Sequence, residues 1–531
     1  MIKSILIVVP PLVPKNKHNN EKTSKLDFEA HRLISPIDPL TTASDLIQRG
    51  FEPSVFDLGL YKVDGFEKLS KRIISLKPDA VVIMQSVLTF ATAQDWDGKR
   101  VFDIVKEHYP KAVTVLTGSH ATNYPGKAVG EGICDYSIKG EVDFEIGNLF
   151  TAINQGDPLL EIEGLAFKVA NGHLSVSEHY PSVDITQLPI PAYHLIDKRK
   201  AEQYAEMLEF GKIRFPARSP KYRDIMTSRS CLLRCSFCSV SHLRGNRQKY
   251  RRKTLNQIIQ EIEVALVDGI EEIHFFDDLF ADSEKQILKF TDELIKRKLK
   301  FHWFVAQGMP LWPLTETALS AMKETGMYRI ICPLESGNNR VLKEVIGKVH
   351  STVEHHHNVI SWAKKLNLEI IGMFVVGMPG EKRSEILDTI CFAEKHPEID
   401  YSVFSIATPM VGTRLMKKIT KHGQLSDPDK INRVIKRTVA LYETSEFSAY
   451  ELGVIRAFDW DRINFSIRKR QIKYANMVGL TLDQLESVRE YSKETFYQFF
   501  PGYDGPLSFN NLYTQPNMFE ELDPIILEKL Y

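Results

Sequence analysis

The amino-acid sequence predicts an α/β protein with a doubly wound N-terminal sheet, a partial (β/α)6 barrel of the TIM type and a mainly helical C-terminal region. Two series in which apolar strand patterns alternate with helical patterns predict this fold, one in residues 1–150 and one in residues 221–424. Residues 151–220 are interrupted by prolines, which predicts a linker with a small sheet of its own. Residues 425–531 are rich in charged and aromatic side chains and are predicted to be helical.

The first series predicts a parallel sheet, because its apolar strands are separated by helices that would cover both faces. In a doubly wound domain, ligands bind at the carboxyl ends of the strands. Small and polar residues follow the strands there, as a cleft for a large ligand requires. The predicted strands are residues 5–9, 54–57, 80–84, 112–116 and 133–138, and the predicted helices are residues 41–48, 66–75 and 96–107.

The second series contains six strand-and-helix units, which predicts a partial barrel whose chemistry lies at the carboxyl ends of its strands. The predicted strands are residues 224–227, 272–276, 302–306, 329–334, 369–376 and 401–407. The predicted helices are residues 255–267, 283–297, 316–325, 353–365 and 383–394.

The charge balance and hydropathy exclude some function classes. The 531 residues include 68 Lys and Arg and 68 Asp and Glu, so the zero net charge gives no electrostatic argument for a nucleic-acid partner. No apolar run approaches the ~20 residues that span a bilayer. The apolar run at residues 5–9 is too short for a signal peptide and has no cleavage site after it, so we expect a cytoplasmic protein.

Three of the six cysteines, Cys231, Cys235 and Cys238, lie within eight residues with the spacing C-x3-C-x2-C. Three thiolates can bind three irons of a [4Fe–4S] cluster and leave the fourth iron open to a ligand such as S-adenosylmethionine (SAM). A zinc site is the alternative, because His242 follows and Cys3His is a common ligand set for structural zinc. The six-unit series after the loop favours the cluster, since zinc modules are usually small and self-contained.

The cysteine spacing, the aromatic Phe237 before the last cysteine and the motifs at the ends of the predicted barrel strands resemble the radical SAM superfamily. The resemblance implies that the three cysteines bind the cluster. The residues that it implies for SAM binding are Phe237, Asp277, Asp278, Glu335, Ser336, Gly377 and Pro379. Simpler roles remain open: Asp277 and Asp278 can cap a turn, Glu335 can pair with a lysine, and Gly377 can be a turn glycine.

The N-terminal segment resembles the cobalamin-binding domain of the B12-dependent radical SAM enzymes, on its opening strand, residues 79–84, residues 117–122 and residues 135–141. It lacks D-x-H-x-x-G, so a histidine beneath the cobalt is not expected, and we expect His120 to bond a cobalamin amide or the backbone. The alternative is a helper or partner-binding domain. The residues that the resemblance implies for cobalamin are Pro11, Gln85, Ser86, Thr89, Thr117, Gly118, Ser119, His120, Gly140 and Glu141.

This resemblance implies a class B radical SAM methyltransferase that uses SAM twice. One SAM methylates the cobalamin, and a second is cleaved to a 5′-deoxyadenosyl radical with an electron from an external donor of the flavodoxin or ferredoxin type. The radical takes hydrogen from an unactivated carbon or a P–H bond of a small-molecule substrate, which then takes the methyl group from methylcobalamin. Residues 242–252, 307–312, 335–344 and 409–412 resemble the methylases of phosphonate and phosphinate pathways, such as the fosfomycin methylase.

Other functions remain to be weighed. A B12-dependent radical SAM enzyme can rearrange, cyclise or oxidise its substrate without methyl transfer, and a zinc or corrinoid-binding protein need not be an enzyme. The related methylthiotransferases carry a second cluster on three N-terminal cysteines. Only Cys134 precedes Cys231, and this count excludes the methylthiotransferases.

Overall fold

The computed structural model describes residues 1–10, 35–61, 64–84, 98–196, 217–245, 249–421 and 440–510. The chain divides into two compact units, Met1–Cys231 with Val240–Glu272 and Leu232–Ser239 with Ile273–Tyr531. No helix in the described ranges is long and apolar enough to cross a bilayer. The predicted α/β class is confirmed, and the four-part division of the chain stays a prediction.

The first unit is built on a seven-stranded sheet with the order β2-β1-β3-β4-β5-β6-β7. The strands are β1 Ser4–Val9, β2 Glu52–Asp57, β3 Ala80–Ile83, β4 Val113–Leu116, β5 Tyr136–Ile138, β6 Leu165–Lys168 and β7 Leu174–Val176. Strands β1 to β5 are parallel, as the apolar pattern predicts. The expectation of a separate small sheet after residue 150 is wrong, because β6 pairs antiparallel with β5 and extends the same sheet.

Helices cover both faces of this sheet: α1 Ile37–Gln48, α2 Gly65–Leu76, α3 Gly98–His108, α4 Ser119–Asn123, α5 Lys127–Gly130 and α6 Glu145–Gln155. Alternate residues of β1 enter two different cores. Ile5 and Ile7 pack with α6 on one face, whereas Leu6 and Val8 pack with α2 and α3 on the other. A strand buried on both faces explains why the run is apolar throughout rather than alternating.

The first unit continues through β8 Tyr222–Ile225, β9 Ser228–Arg229, α7 Val240–Leu243, β10 Arg251–Arg252 and α8 Leu255–Val267. Strands β9 and β10 form a short antiparallel pair in which Arg229 lies opposite Arg251. Helix α8 begins with a capping box, in which Thr254 and Gln257 satisfy each other's backbone amides.

The second unit carries the remaining strand-and-helix units and the C-terminal helices. They are β11 Glu272–Phe275, α9 Glu284–Lys296, β12 His302–Val305, α10 Glu316–Glu324, β13 Arg329–Glu335, α11 Val353–Lys365, β14 Glu369–Val376, α12 Arg383–Lys395, β15 Tyr401–Ile406, α13 Arg414–Lys421, α14 Ala449–Val454, α15 Trp460–Phe465, α16 Arg468–Val478 and α17 Leu482–Phe499. A π-helix spans Val341–Ile346, and another spans Ile455–Asp459. Strands β13, β14 and β15 form a parallel sheet in that order.

An aromatic cluster and one asparagine side chain stabilise the second unit. Trp303 on β12 is fully buried and meets the rings of Phe275 and Phe290 edge to face at 5.5 and 5.8 Å. The Asn464 side chain of α15 accepts from the Ser402 amide at 2.7 Å and donates to the Ser402 carbonyl at 2.9 Å. An amide that satisfies both backbone groups of an outer strand protects this edge of the sheet from pairing with another chain.

Candidate functional site

The loop that carries Cys231, Cys235 and Cys238 follows β9, and all three side chains are only half-buried. None of the six cysteines, all of which are described, forms a disulfide. Ser230, directly before the first cysteine, has φ of +64°, which residues other than glycine rarely adopt. Such backbone strain is concentrated at functional sites.

Ser236, between the second and third cysteines, is the residue that anchors this loop. Its amide donates to the Ile346 carbonyl at 2.7 Å, and its hydroxyl donates to the Val345 carbonyl at 2.9 Å. Its own carbonyl accepts from the Leu415 amide of α13 at 2.9 Å. Backbone groups of the π-helix and of α13 therefore hold the loop while its thiols stay accessible.

The other cysteines and His242 differ from this set. Burial raises the pKa of the Cys134 and Cys332 thiols to about 12, so both remain protonated and poor ligands. The Nε2 atom of His242, the fourth ligand of the alternative zinc site, lies 3.1 Å from the Asn123 side chain of α4. Across the described ranges, no three His, Cys, Asp or Glu side chains are gathered at metal-binding distance, so neither ligand set is preassembled.

Asp277, Asp278 and Glu335 lie at the carboxyl ends of barrel strands, as predicted. Asp277 and Asp278 follow β11, and Asp277 is buried. Glu335 ends β13 at a bulge and has φ of +62°. The buried Lys348 ammonium lies 3.1 Å from Glu335 Oε1 and also donates to the Pro333 carbonyl. The ion pair with a lysine, which the sequence analysis kept as a simpler role for Glu335, is therefore present.

The hydroxyl of Ser336 is held within the turn after β13. It lies 3.0 Å from the Thr389 hydroxyl of α12 and accepts from the Asn338 amide at 3.2 Å. A Cβ on Gly337 would lie 2.6 Å from the Asp388 carbonyl, so only glycine allows the strand end to approach α12 this closely.

Gly377 and Pro379 belong to a loop that follows β14, and their backbone groups are held from several sides. Gly377 has φ of +81°, and its carbonyl accepts from the Tyr442 hydroxyl at 2.5 Å. The Pro379 carbonyl accepts from the Lys418 ammonium of α13 at 2.6 Å. The loop thus has a fixed shape, and its apolar neighbour Leu452 would clash with any side chain at Gly377.

Glu381 closes this loop and was not predicted as a site residue. Its Oε2 accepts from the amides of Gly377 and Met378 at 2.8 and 2.9 Å. Its Oε1 is buried and has no hydrogen-bond partner in the structure. Burial is the main cause that raises the pKa of this carboxyl to about 8, with a smaller contribution from Glu385. Glu381 is therefore largely protonated at neutral pH.

At the carboxyl edge of the first unit's sheet, the predicted segments Thr117–His120 and Gly140–Glu141 follow the adjacent parallel strands β4 and β5. Gly118 takes a positive φ of +86° as the chain turns into α4. The Thr117 hydroxyl donates to the Ile83 carbonyl, and Ser119 is buried. Pro11, Gln85, Ser86 and Thr89 lie outside the described residues.

His120 is buried at the start of α4, with its ring 5.4 Å from that of Tyr124. Burial and the charge of Lys127 lower the pKa of His120 to about 4. The imidazole is therefore neutral at physiological pH, which is the state that can both accept and donate a hydrogen bond.

Behind this edge lies a buried ion network that joins the sheet to the strand before the cysteine loop. Arg229 of β9 binds Asp143 through two guanidinium nitrogens, at 2.5 and 2.7 Å, and Asp38 of α1 at 3.1 Å. These side chains are almost fully buried. Although burial opposes ionisation, the charge and hydrogen bonds of Arg229 hold the pKa of Asp143 below its usual range.

Glu141 completes the network, which contains three arginines and three carboxylates. Its Oε2 lies 2.7 Å from Arg251 of β10, and its Oε1 lies 3.3 Å from the buried Arg244. Arg251 also donates to the Ser230 hydroxyl at 3.3 Å. Glu141 is thus engaged by arginines, while Gly140 donates its amide to Thr122 at 2.9 Å.

The radical SAM superfamily model matches residues 225–393, which contain the cysteine loop and the strand ends described above. The uncharacterized methyltransferase PH0819 of Pyrococcus horikoshii is 30% identical over 422 residues, which cover 78% of this chain and 82% of that protein. The chain belongs to the radical SAM superfamily.

This radical SAM protein is also similar to the cytidylyl-2-hydroxyethylphosphonate methyltransferase of Streptomyces wedmorensis, at 26% identity over 61% of this chain and 64% of the other. Its fold is that of the radical SAM methyltransferase TsrM from Kitasatospora setae, whose structure was solved with cobalamin and a [4Fe–4S] cluster. The TM-score is 0.62 at 15% identity, and the match covers 90% of this chain and 99% of that one.

The residues of these sites that were not predicted from the sequence include Arg229, Lys348, Glu381 and Tyr442. Arg229 stands only two residues before Cys231, and Glu381 stands two residues after Pro379, so proximity to predicted site residues could have indicated both. Tyr442 comes from the C-terminal region, and no pattern in the sequence connects it to the loop after β14.

Proposed function

We propose that the protein is a cobalamin-dependent radical SAM methyltransferase that acts on a small organic substrate. The observation that carries this proposal is the cysteine loop. Its three cysteines are half-buried, and Ser236 fixes its backbone. The similarity to methyltransferases supports the reaction type.

Cys231, Cys235 and Cys238 would hold the [4Fe–4S] cluster, because three thiolates leave one iron open to the amino and carboxylate groups of SAM. When bound, the cluster supplies the electron that splits SAM into methionine and a 5′-deoxyadenosyl radical, and cobalamin supplies the methyl group. We assign the SAM pocket to Phe237, Asp277, Asp278, Glu335, the turn at Ser336 and the loop from Gly377 to Pro379. Lys348 would balance the Glu335 carboxylate there.

The protein's part in this chemistry is to orient ligands and exclude water. The fixed loop after β14 presents backbone groups, and the protonated Glu381 places no charge beside them. At the edge of the first unit's sheet, Thr117, Gly118, Ser119, His120 and Gly140 would contact cobalamin, with His120 neutral. We assign Glu141 to the ion network instead. The sequence-derived positions Pro11, Gln85, Ser86 and Thr89 remain part of the proposal.

The substrate class follows from similarity alone. Because one relative methylates a cytidylylated hydroxyethylphosphonate, phosphonates and phosphinates are the first compounds to test. The proposal further includes an external electron donor and a cytoplasmic location, where thiols stay reduced.

The test is to reconstitute the protein anaerobically with iron, sulfide and cobalamin and to supply SAM that carries a deuterated methyl group. Methyl transfer consumes two SAM molecules, so we expect equal amounts of S-adenosylhomocysteine and 5′-deoxyadenosine, together with label in the product. Formation of 5′-deoxyadenosine without S-adenosylhomocysteine or label would instead support a rearrangement, cyclisation or oxidation. A chain that binds zinc and forms neither product would contradict the proposal.

A further inference from the structure

The loop after β14 is bound to the rest of the second unit through its backbone carbonyls. The Pro379 carbonyl accepts from Lys418 at 2.6 Å, and the Gly380 carbonyl accepts from Arg340 at 2.8 Å. Solvent reaches both of these cations, because Lys418 is exposed and Arg340 is only half-buried. The Gly377 carbonyl differs from these two, since the side chain that binds it is fully enclosed in the protein.

Buried side chains bind both backbone polar groups of Gly377. Its amide donates to Glu381 Oε2 at 2.8 Å, and its carbonyl accepts from the Tyr442 hydroxyl at 2.5 Å. Burial is the main cause that raises the pKa of Tyr442 well above its usual range, so this hydroxyl keeps its proton and donates at every physiological pH. A carbonyl has two lone pairs, so the bond from Tyr442 orients Gly377 and leaves one lone pair for a ligand.

Tyr442 belongs to residues 440–452, a C-terminal segment that contacts the loop at both of its ends. At the first end, the Leu452 side chain packs where a Cβ on Gly377 would lie. Just beyond the other end, the Arg383 amide donates to Glu446 at 3.1 Å, and the Arg383 guanidinium pairs with Glu451. The conformation of the loop therefore depends on a segment that lies about 65 residues further along the chain.

We propose that Tyr442 is a positioning residue for SAM, because it holds the Gly377 carbonyl in the orientation that the SAM-binding form of the loop requires. The proposal rests on the function proposed above, in which the loop from Gly377 to Pro379 lines the SAM pocket. Without the hydroxyl, the carbonyl is buried with one donor fewer, and the loop gains free energy by turning it toward water. SAM then binds only the fraction of molecules in which the loop has returned, so its apparent affinity falls.

A purely structural role for Tyr442 predicts a different result. A hydrogen bond that only stabilises the fold contributes equally to the free and the SAM-bound protein. Its loss lowers the melting temperature and leaves the affinity for SAM unchanged, because a ligand responds only to differences between the states that it binds. The affinity for SAM, compared with the melting temperature, therefore separates the two roles.

The test compares two substitutions of tyrosine by phenylalanine. Tyr442→Phe removes the hydroxyl at Gly377. The control, Tyr450→Phe, removes a hydroxyl from a similarly buried ring on α14, where it interacts with Ser448 at the start of that helix. Each protein is reconstituted anaerobically, and its dissociation constant for SAM is measured by equilibrium dialysis without a reductant, so that SAM is bound but not cleaved. We expect Tyr442→Phe to bind SAM about 10-fold more weakly, and the control to match the wild type.

Iron content, cobalamin content and melting temperature are measured on the same samples. Both variants should keep the iron and cobalamin of the wild type. Their melting temperatures should fall by similar amounts, because each loses one buried hydroxyl. Unchanged affinity for SAM in Tyr442→Phe, equal weakening in both variants, or loss of iron together with affinity would overturn the proposal.

A measurement on the wild type does not depend on how well a variant folds. If SAM binding requires the contact with Tyr442, then SAM must in turn stabilise that contact. Amide hydrogens of residues 440–452 should therefore exchange more slowly when SAM is bound, and by a larger factor than those of α16. Equal effects on the two segments would overturn the proposal while the proposed function stands. If the wild type binds no SAM at all, the proposed function fails and this proposal fails with it.

Discussion

The candidate cobalamin site in the first unit and the candidate SAM site in the second unit differ in how many of their buried polar groups are paired. At the edge of the first unit's sheet, Arg229 and its neighbours pair with carboxylates in a buried network, so the charges there satisfy one another. In the second unit, Cys235 and Cys238 are half-buried and one oxygen of Glu381 has no hydrogen-bond partner. Buried ion pairs hold their side chains in one arrangement, whereas a partly exposed or unsatisfied polar group can still bind a ligand.

The largest effect should come from breaking the network. Arg229→Ala leaves Asp143 and Asp38 buried without their cation, and we expect it to lower the free energy of unfolding by about 3–5 kcal/mol. Urea unfolding would measure this. The control is Arg297→Ala, which removes an ion pair at the surface with Glu293 and should lower the free energy of unfolding far less, because solvent screens such a pair. Equal losses in the two variants would contradict a structural role for the network.

A second effect, which is near zero at pH 4 and becomes comparable to that of Arg229→Ala only as the pH approaches about 8, should come from Glu381. Its folded pKa is raised, so the stability it contributes is complete below its unfolded pKa and is lost as pH rises toward about 8. Glu381→Gln keeps an acceptor for the two amides and removes the ionisation. We expect the variant to match the wild type near pH 4. Its advantage in the free energy of unfolding should then grow by roughly 1.4 kcal/mol for each unit of pH, until the pH reaches the folded pKa.

Thermal unfolding of both proteins across this pH range provides the measurement. The comparison with the wild type at each pH cancels the other titrating groups. A constant difference across the range would show that Glu381 is ionised in the folded protein at neutral pH, and the contrast with the paired carboxylates of the first unit would fail.

The smallest effect on the free energy of unfolding should come from Ser236, which anchors the cysteine loop. Ser236→Ala removes the hydrogen bond from Ser236 to the Val345 carbonyl and keeps the backbone contacts, so we expect a loss of about 1 kcal/mol. Because the thiols are untouched, iron binding should remain while SAM cleavage slows. Unfolding curves and iron content measure these outcomes, and a variant that cannot bind iron would show that the hydroxyl does more than anchor the loop.

The parallel strands β1 to β5 and β13 to β15, and the strand ends that carry Asp277, Glu335 and Gly377, were predictable, because apolar periodicity and short motifs are local properties of a sequence. The partners of those residues were not. Lys348 meets Glu335, and Tyr442 meets Gly377, only after the chain folds. The predicted separate sheet after residue 150 was wrong for the same reason, since pairing of β6 with β5 is decided by the edge that β5 leaves open.

The central claim is that Cys231, Cys235 and Cys238 bind one open-site [4Fe–4S] cluster. Its most direct test is Mössbauer spectroscopy of the anaerobically reconstituted protein with and without SAM, with Cys134→Ser as the control beside Cys235→Ser. The account predicts a cubane in the wild type and in Cys134→Ser, one iron of which changes its signal when SAM binds, and loss of that cubane in Cys235→Ser. A protein that takes up zinc instead, or a cluster whose irons are all unchanged by SAM, would contradict it.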